Sequence, residues 1–167
     1  TISHLFSQVD SAIPFSAWAQ LGLDIDGEAA EDQSGNSVSL SADGQTVAIG
    51  SRYNDGTTGD VNDNRGHVRI YSYSAESWSQ LGSDIDGKAT DDNSGYSVSL
   101  SADGRTVAIG AHGNDASGGE SGHVRIFSYD GSIWSQLGLD IDGEAAGDQS
   151  GYSVYLSADG RTVAVGA

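Results

Sequence analysis

Apolar and polar residues alternate along this chain in short bursts with a period of two. In SVSLS (97–101), Val98 and Leu100 fall on one face and the serines on the other; in TVAIG (106–110), Val107 and Ile109 share a face. HVRIFSY (123–129) and the text around Trp134, Gln136 and Leu137 supply two more bursts. Ala-Asp-Gly joins the first pair, and Asp-Gly between alternating strands predicts a tight hairpin with a two-residue turn, at Asp43-Gly44, Asp103-Gly104 and Asp159-Gly160. The predicted strands are 37–41, 46–50, 67–73, 78–82, 97–101, 106–110, 123–129, 134–138, 153–157 and 162–166. No apolar stripe of period 3.6 persists, so no helix is expected.

The bursts recur. Aligned on Trp18, Trp78 and Trp134, with offsets of 60 and 56, three closely similar texts appear: WAQLGLDIDG…SGNSVSLSADGQTVAIG, WSQLGSDIDG…SGYSVSLSADGRTVAIG and WSQLGLDIDG…SGYSVYLSADGRTVAVG. The difference lies between Gly50 and Gly66 on one side and Gly110 and Gly122 on the other, which marks a surface loop. Repeats of this length with four short antiparallel strands are blades of a β-propeller, since the coils of a β-solenoid are shorter. The chain is therefore read as all-β, with an N-terminal segment (1–17) that could supply a degenerate strand ahead of Pro14. Three blade repeats follow at about 18–77, 78–133 and 134–167, the last incomplete.

The text SGYSVSLSADGRTVAIGA, then a polar Asn-Asp loop and GHVRIF, resembles the FG-GAP repeat of integrin-α propellers and their bacterial relatives. The resemblance covers nearly all of 18–167 and implies a propeller acting in adhesion. The chain departs from the family at its Phe-Gly, which is Ser34-Gly35, Ser94-Gly95 and Ser150-Gly151 here, and lacks the proline after Gly-Ala. The Asp-x-Asp-x-Asp-Gly calcium loop that the family can carry between the first two strands has no counterpart at the short Asp-Gly turns.

Charge narrows the partners. With 24 acidic and 7 basic residues the net charge is −17, which repels nucleic acid and anionic membranes and favours cations. No stretch is apolar for long enough to span a bilayer. The lone lysine (Lys88) and the abundance of Gly, Ser and Asp suit an extracellular or cell-surface protein; without cysteine, no disulfide holds the fold. Without methionine, a chain starting at Thr1 is expected to be a processed protein or a fragment.

Loops alternate between the two ends of an antiparallel blade. The connections from fourth strand to next first strand, and from second to third, therefore share one end, and 18 of the 24 acids fall in them. Asp-Ile-Asp-Gly followed by a further Asp recurs in each copy: Asp24, Asp26 and Asp32; Asp84, Asp86 and Asp92; Asp140, Asp142 and Asp148. Two roles are open for these nine. Oxygen-rich, glycine-bent loops suit Ca²⁺, and the same carboxylates can instead close Asx-turns. His67 and His123 occupy equivalent places before a strand and read as structural; His4 and His112 have no matching Cys or His cluster for zinc. Tyr96 and Tyr152 replace Asn36 at one repeat position and read as packing residues that could also stack on a sugar. Arg69 and Arg125 pair with acids or cover a blade surface. No Gly-x-Ser-x-Gly elbow appears, and carboxylates repeated in every copy argue for structure over a single catalytic centre. The expected function is a non-enzymatic extracellular binding or adhesion module for a protein or glycan. A self-assembling structural protein, with 1–23 pairing to the 153–167 edge of another chain, is the alternative, and a propeller hydrolase or lyase a distant one.

Overall fold

A computed structural model describes residues 5–8, 18–56 and 61–167. Two hairpins flank two larger sheets. β1 (Phe6–Gln8) pairs with β2 (Trp18–Gln20). The first sheet runs β3 (Ser34–Leu40), β4 (Thr46–Ser51), β5 (His67–Ser74) and β6 (Ser77–Gln80), with β7 (Ile85–Asp86) also on β5. The second repeats that order in β8 (Ser97–Leu100), β9 (Thr106–Ala111), β10 (His123–Tyr129), β11 (Trp134–Gln136) and β12 (Ile141–Asp142). β13 (Ser153–Leu156) and β14 (Val163–Gly166) form the last hairpin. All named pairings are antiparallel, and no described residue is helical. These are blades of a β-propeller, as the repeat text predicts.

The hairpin turns are longer than the two residues expected. Ladder pairing continues to the Ser41 N–H on the Thr46 carbonyl, so residues 42–45 make the turn. Asp43 organises it by accepting from the Ser41 hydroxyl at 2.6 Å and the Gln45 amide at 2.9 Å, while Gly44 takes φ +70°. Ser101-Asp103 and Ser157-Asp159 repeat the device. The serine that ends each first strand is therefore as necessary as the Asp-Gly pair.

The fourth strand is also shorter than predicted, and interrupted. β6 ends at Gln80, and Gly82, at φ +70°, turns the chain away. Two residues then return to β5, Ile85 opposite Val68 and Asp86 opposite His67. This return, repeated by β12 on β10, carries Asp84 and Asp86, and Asp140 and Asp142, to the foot of the third strand, beside the histidine.

Blades stack face against face, which is why both sides of β9 and β4 are buried. Val98 and Leu100 face the first sheet in a cluster with Val68, Ile70 and Ile109. The serine side of the same strand faces the next blade. The Leu100 amide donates to Ser39 Oγ and the Leu156 amide to Ser99 Oγ, both at 2.9 Å. Small residues let the backbones meet: a Cβ on Gly110 would lie 2.1 Å from the Gly151 carbonyl oxygen. On the outside, Trp78 Nε1 donates to the Leu21 carbonyl and Trp134 Nε1 to the Leu81 carbonyl, each at 2.8 Å, stapling each repeat to the one before.

Candidate functional site

The two classes of acidic loop do meet at one end of the blades. Asp92 is buried where they cross: its Oδ2 accepts from the Lys88 and Ala89 amides at 2.9 Å each, and its Oδ1 accepts from Asn114 Nδ2 at 2.8 Å. Asp32 repeats the arrangement with the Ala29 amide and Asn54 Nδ2. Asp148 accepts from the Ala145 amide at 2.8 Å. These three carboxylates close turns. Asp24, Asp84 and Asp140 each accept from the glutamine four residues earlier, Gln20, Gln80 and Gln136. Asp26 and Asp86 are exposed, and their backbone carbonyls take Arg69 and Arg125 at 2.7 Å, which fixes the role of those arginines as clamps between successive blades.

The nine aspartates do not form a shell by themselves. Among the described residues, two groups bring three metal-competent atoms within 4.8 Å of one another: Glu28, His67 and Asp84, and His123, Asp140 and Asp142. Each group contains a histidine that the sequence reading assigned to structure alone. The missed signal is the pairing Glu28–Asp84: a carboxylate two residues beyond Asp26 on one repeat and the first carboxylate of the next, brought together only by the return of β7 to β5.

In the first group, His67 Nδ1 lies 3.8 Å from Glu28 Oε2 and 3.9 Å from Asp84 Oδ2. His67 is 1% exposed; its Nδ1 faces the two carboxylates, and its buried Nε2 has no hydrogen-bond partner. Burial pushes its pKa down, and it outweighs the nearby Asp84 and Glu28 charges, which act upward. The imidazole is thus held neutral, the form that binds metals. Arg69 Nη1 is 3.8 Å from the other Glu28 oxygen.

The second group differs at one position. Lys88 stands where Glu28 stands one repeat earlier, and its Nζ donates to Asp140 Oδ2 at 2.6 Å. That same oxygen is 3.4 Å from His123 Nδ1, with Asp142 Oδ1 at 4.0 Å. Burial acts to raise the Asp140 pKa, yet the hydrogen bonds from Lys88 and Gln136 prevail and hold it below the ordinary value. Burial also lowers the His123 pKa, helped by Arg125.

A separate cluster of rings occupies the entrance to the stacked first strands. Tyr96 lies 4.1 Å from His112 and 4.9 Å from Tyr152, centroid to centroid, with the Arg52 guanidinium 5.3 Å from the Tyr96 ring. Asn36, at the same repeat position, donates to the Tyr96 carbonyl at 3.0 Å. Tyr152 is half exposed. Burial lowers the His112 pKa, with Arg52 acting in the same direction.

Comparison with known proteins bears on the fold. The FG-GAP repeat family matches residues 84–127. No curated protein matches the chain by sequence. Among solved structures the chain is similar to the periplasmic gluconolactonase PpgL of Pseudomonas aeruginosa, with a TM-score of 0.56 and 15% identity over 97% of this chain and 42% of that one. It is also similar to hydrazine synthase of Kuenenia stuttgartiensis, at a TM-score of 0.44 and 16% identity over 91% of this chain and 47% of that one, a likeness too distant to argue from. The chain spans less than half the length of either, and at such identity the likeness to the gluconolactonase concerns the fold alone. Residues 84–127 thus match an FG-GAP repeat, within a stack of β-propeller blades.

Proposed function

We propose that this chain is a binding module of an extracellular or cell-surface protein, without catalytic activity of its own, and that it presents one end of its blades to a protein or glycan. The observation that carries this reading is the ring cluster of half-buried Tyr96 and His112 with exposed Tyr152. Solvent-reaching tyrosines held in fixed mutual positions suit the apolar face of a sugar ring or an aromatic anchor of a protein. The nearby loops add charge but are braced by buried Asp-Asn pairs, so they offer a rigid surface. Ca²⁺ belongs to the same proposal, bound through the exposed carboxylates Asp26, Asp86 and Asp142 that the turns leave facing solvent. The test is saturable binding of the purified chain to immobilised glycans and matrix proteins, with and without Ca²⁺. Tyr96→Ala with Tyr152→Ala should abolish binding, and Asp86→Asn should reduce any Ca²⁺-dependent gain. Hydrolysis of a sugar lactone by the chain above the uncatalysed rate would overturn the non-enzymatic reading, since the gluconolactonase shares this fold.

A second reading, self-association, rests on a different observation. β1 and β2 pair in the register of third and fourth strands: Phe6 opposite Gln20 matches Phe127 opposite Gln136. β13 and β14 keep the register of first and second strands, and β14 has no further strand beside it among the described residues. The faces at both ends of the stack also expose apolar side chains. Val38 and Leu40 are 55% and 49% exposed, whereas their equivalents Val98 and Leu100 are 8% and 6%. In this reading β1 of a second copy completes the blade begun by β13 and β14, with Phe6 opposite Val163 as Phe127 is opposite Val107. Residues 1–4 and 9–17, which the sequence reading included in that exchange, lie outside the described residues. Sedimentation should show association that is lost on deleting residues 1–17; a monomer unaffected by the deletion overturns it.

A further inference from the structure

The first blade interface holds an arrangement that the second interface resolves with a lysine. At the second, the Lys88 ammonium lies on Asp140 beside the buried His123. At the first, the equivalent residue is Glu28, so two carboxylates converge on Nδ1 of a buried imidazole whose Nε2 has no hydrogen-bond partner. Exchanging lysine for glutamate changes the local charge by two, the charge of one divalent cation. The remaining parts match: Asp84 for Asp140, His67 for His123, Arg69 for Arg125.

We propose that Glu28, His67 and Asp84 bind a divalent transition-metal cation of the Zn²⁺ type between the first two repeats, at the place where Lys88 puts its ammonium one blade later. The donor set is one imidazole nitrogen and two carboxylate oxygens, which suits zinc and its neighbours; calcium and magnesium take oxygen alone. With metal–ligand bonds of about 2.0–2.2 Å, tetrahedral donors stand roughly 3.4 Å apart. The observed 3.8 and 3.9 Å leave about half an ångström to close. Glu28, whose side chain is 46% exposed, has the freedom to close it, and its exposure gives the ion a path in. Three protein donors leave a fourth position for water or for an oxygen of a ligand. The cation links a loop that precedes the first sheet to the strand that closes it, so it clamps consecutive repeats together. His67, read from sequence as structural, becomes the donor that distinguishes this site from a calcium loop.

The experiment is isothermal titration of the metal-free 167-residue chain with ZnCl₂, with circular dichroism to verify the fold of each variant. The expected result is one equivalent bound by the parent chain. Glu28→Lys, which copies the second interface, should keep the fold and lose the isotherm, and Asp84→Asn should lose it as well. Lys88→Glu should raise the stoichiometry to two, because it rebuilds the same donor set around His123 and Asp140. Absence of binding to the parent chain, two equivalents in the parent chain, or an isotherm that survives Glu28→Lys would each overturn the proposal.

Discussion

Asp92→Asn removes one charge from the loops and changes little volume, so its effect measures what the carboxylate does there. The two oxygens accept three hydrogen bonds, from the Lys88 and Ala89 amides and from Asn114 Nδ2, at a residue that is 1% exposed. An asparagine has one acceptor oxygen. Whichever way its amide turns, an NH₂ faces a donor: either the two backbone N–H groups or the Asn114 amide. At least one buried donor loses its partner, at about 1–3 kcal/mol, and the surviving bonds lose their charge assistance. We expect a total of about 3 kcal/mol, which in a chain of this size lowers Tm by roughly 6–12 °C. Asp148→Asn is the internal control. It occupies the same loop position but accepts only the Ala145 amide in a half-buried setting, so its cost should stay within about 1 kcal/mol. Thermal melts in metal-free buffer, followed by far-ultraviolet dichroism, make the comparison. Equal shifts for the two variants, or a deficit at Asp92 that appears only with calcium present, would refute the turn-closing role.

Gly110→Ala should destabilise by about 1–3 kcal/mol or prevent folding, since its Cβ would meet the Gly151 carbonyl oxygen at 2.1 Å and backbone cannot yield cheaply; Gly119→Ala, with no atom within 4 Å, should be near neutral by the same melt. The hairpin aspartates predict a particular acid sensitivity. Hydrogen bonds from Ser41, Ser101 and Ser157 lower the pKa values of Asp43, Asp103 and Asp159 below the ordinary 3.8. Because the folded values lie below the unfolded one, this stabilisation is complete above 3.8 and is lost as pH falls through the folded values. Tm measured from about pH 5 to 2 should fall less steeply in Ser101→Ala than in the parent chain.

The blades were legible because the code for a buried strand pair is local. Period-two alternation and an Asp-Gly turn suffice to mark β8 and β9, and β10 falls at 123–129 as read. β7 and β12 escaped because two residues cannot display a period; only Gly82 and Gly138, both at positive φ, hinted at the break before them. The candidate site was half legible. The acidic loops and their shared end followed from strand order, and the turn-closing alternative for Asp32, Asp92 and Asp148 was open from composition alone. The convergence of Glu28 with Asp84 on His67 was not, since the two carboxylates are 56 residues apart and belong to successive repeats. The one-residue difference between Glu28 and Lys88 was visible in the alignment, but its meaning needed the distance from Lys88 to Asp140.

The indole staples have an energetic consequence. Trp78 and Trp134 each satisfy a carbonyl of the preceding repeat, and the serine hydroxyls of β3 and β8 reach the carbonyls of Gly95 and Gly151 in the following one. No repeat closes its own hydrogen-bond account, so its free energy is shared with its neighbours, as in a one-dimensional array of coupled units. Opening then begins at the ends of the stack and travels inward one unit at a time. Amide exchange should record that order, slowest in the β8–β11 sheet, which is clasped from both sides, and fastest in the flanking hairpins β1–β2 and β13–β14.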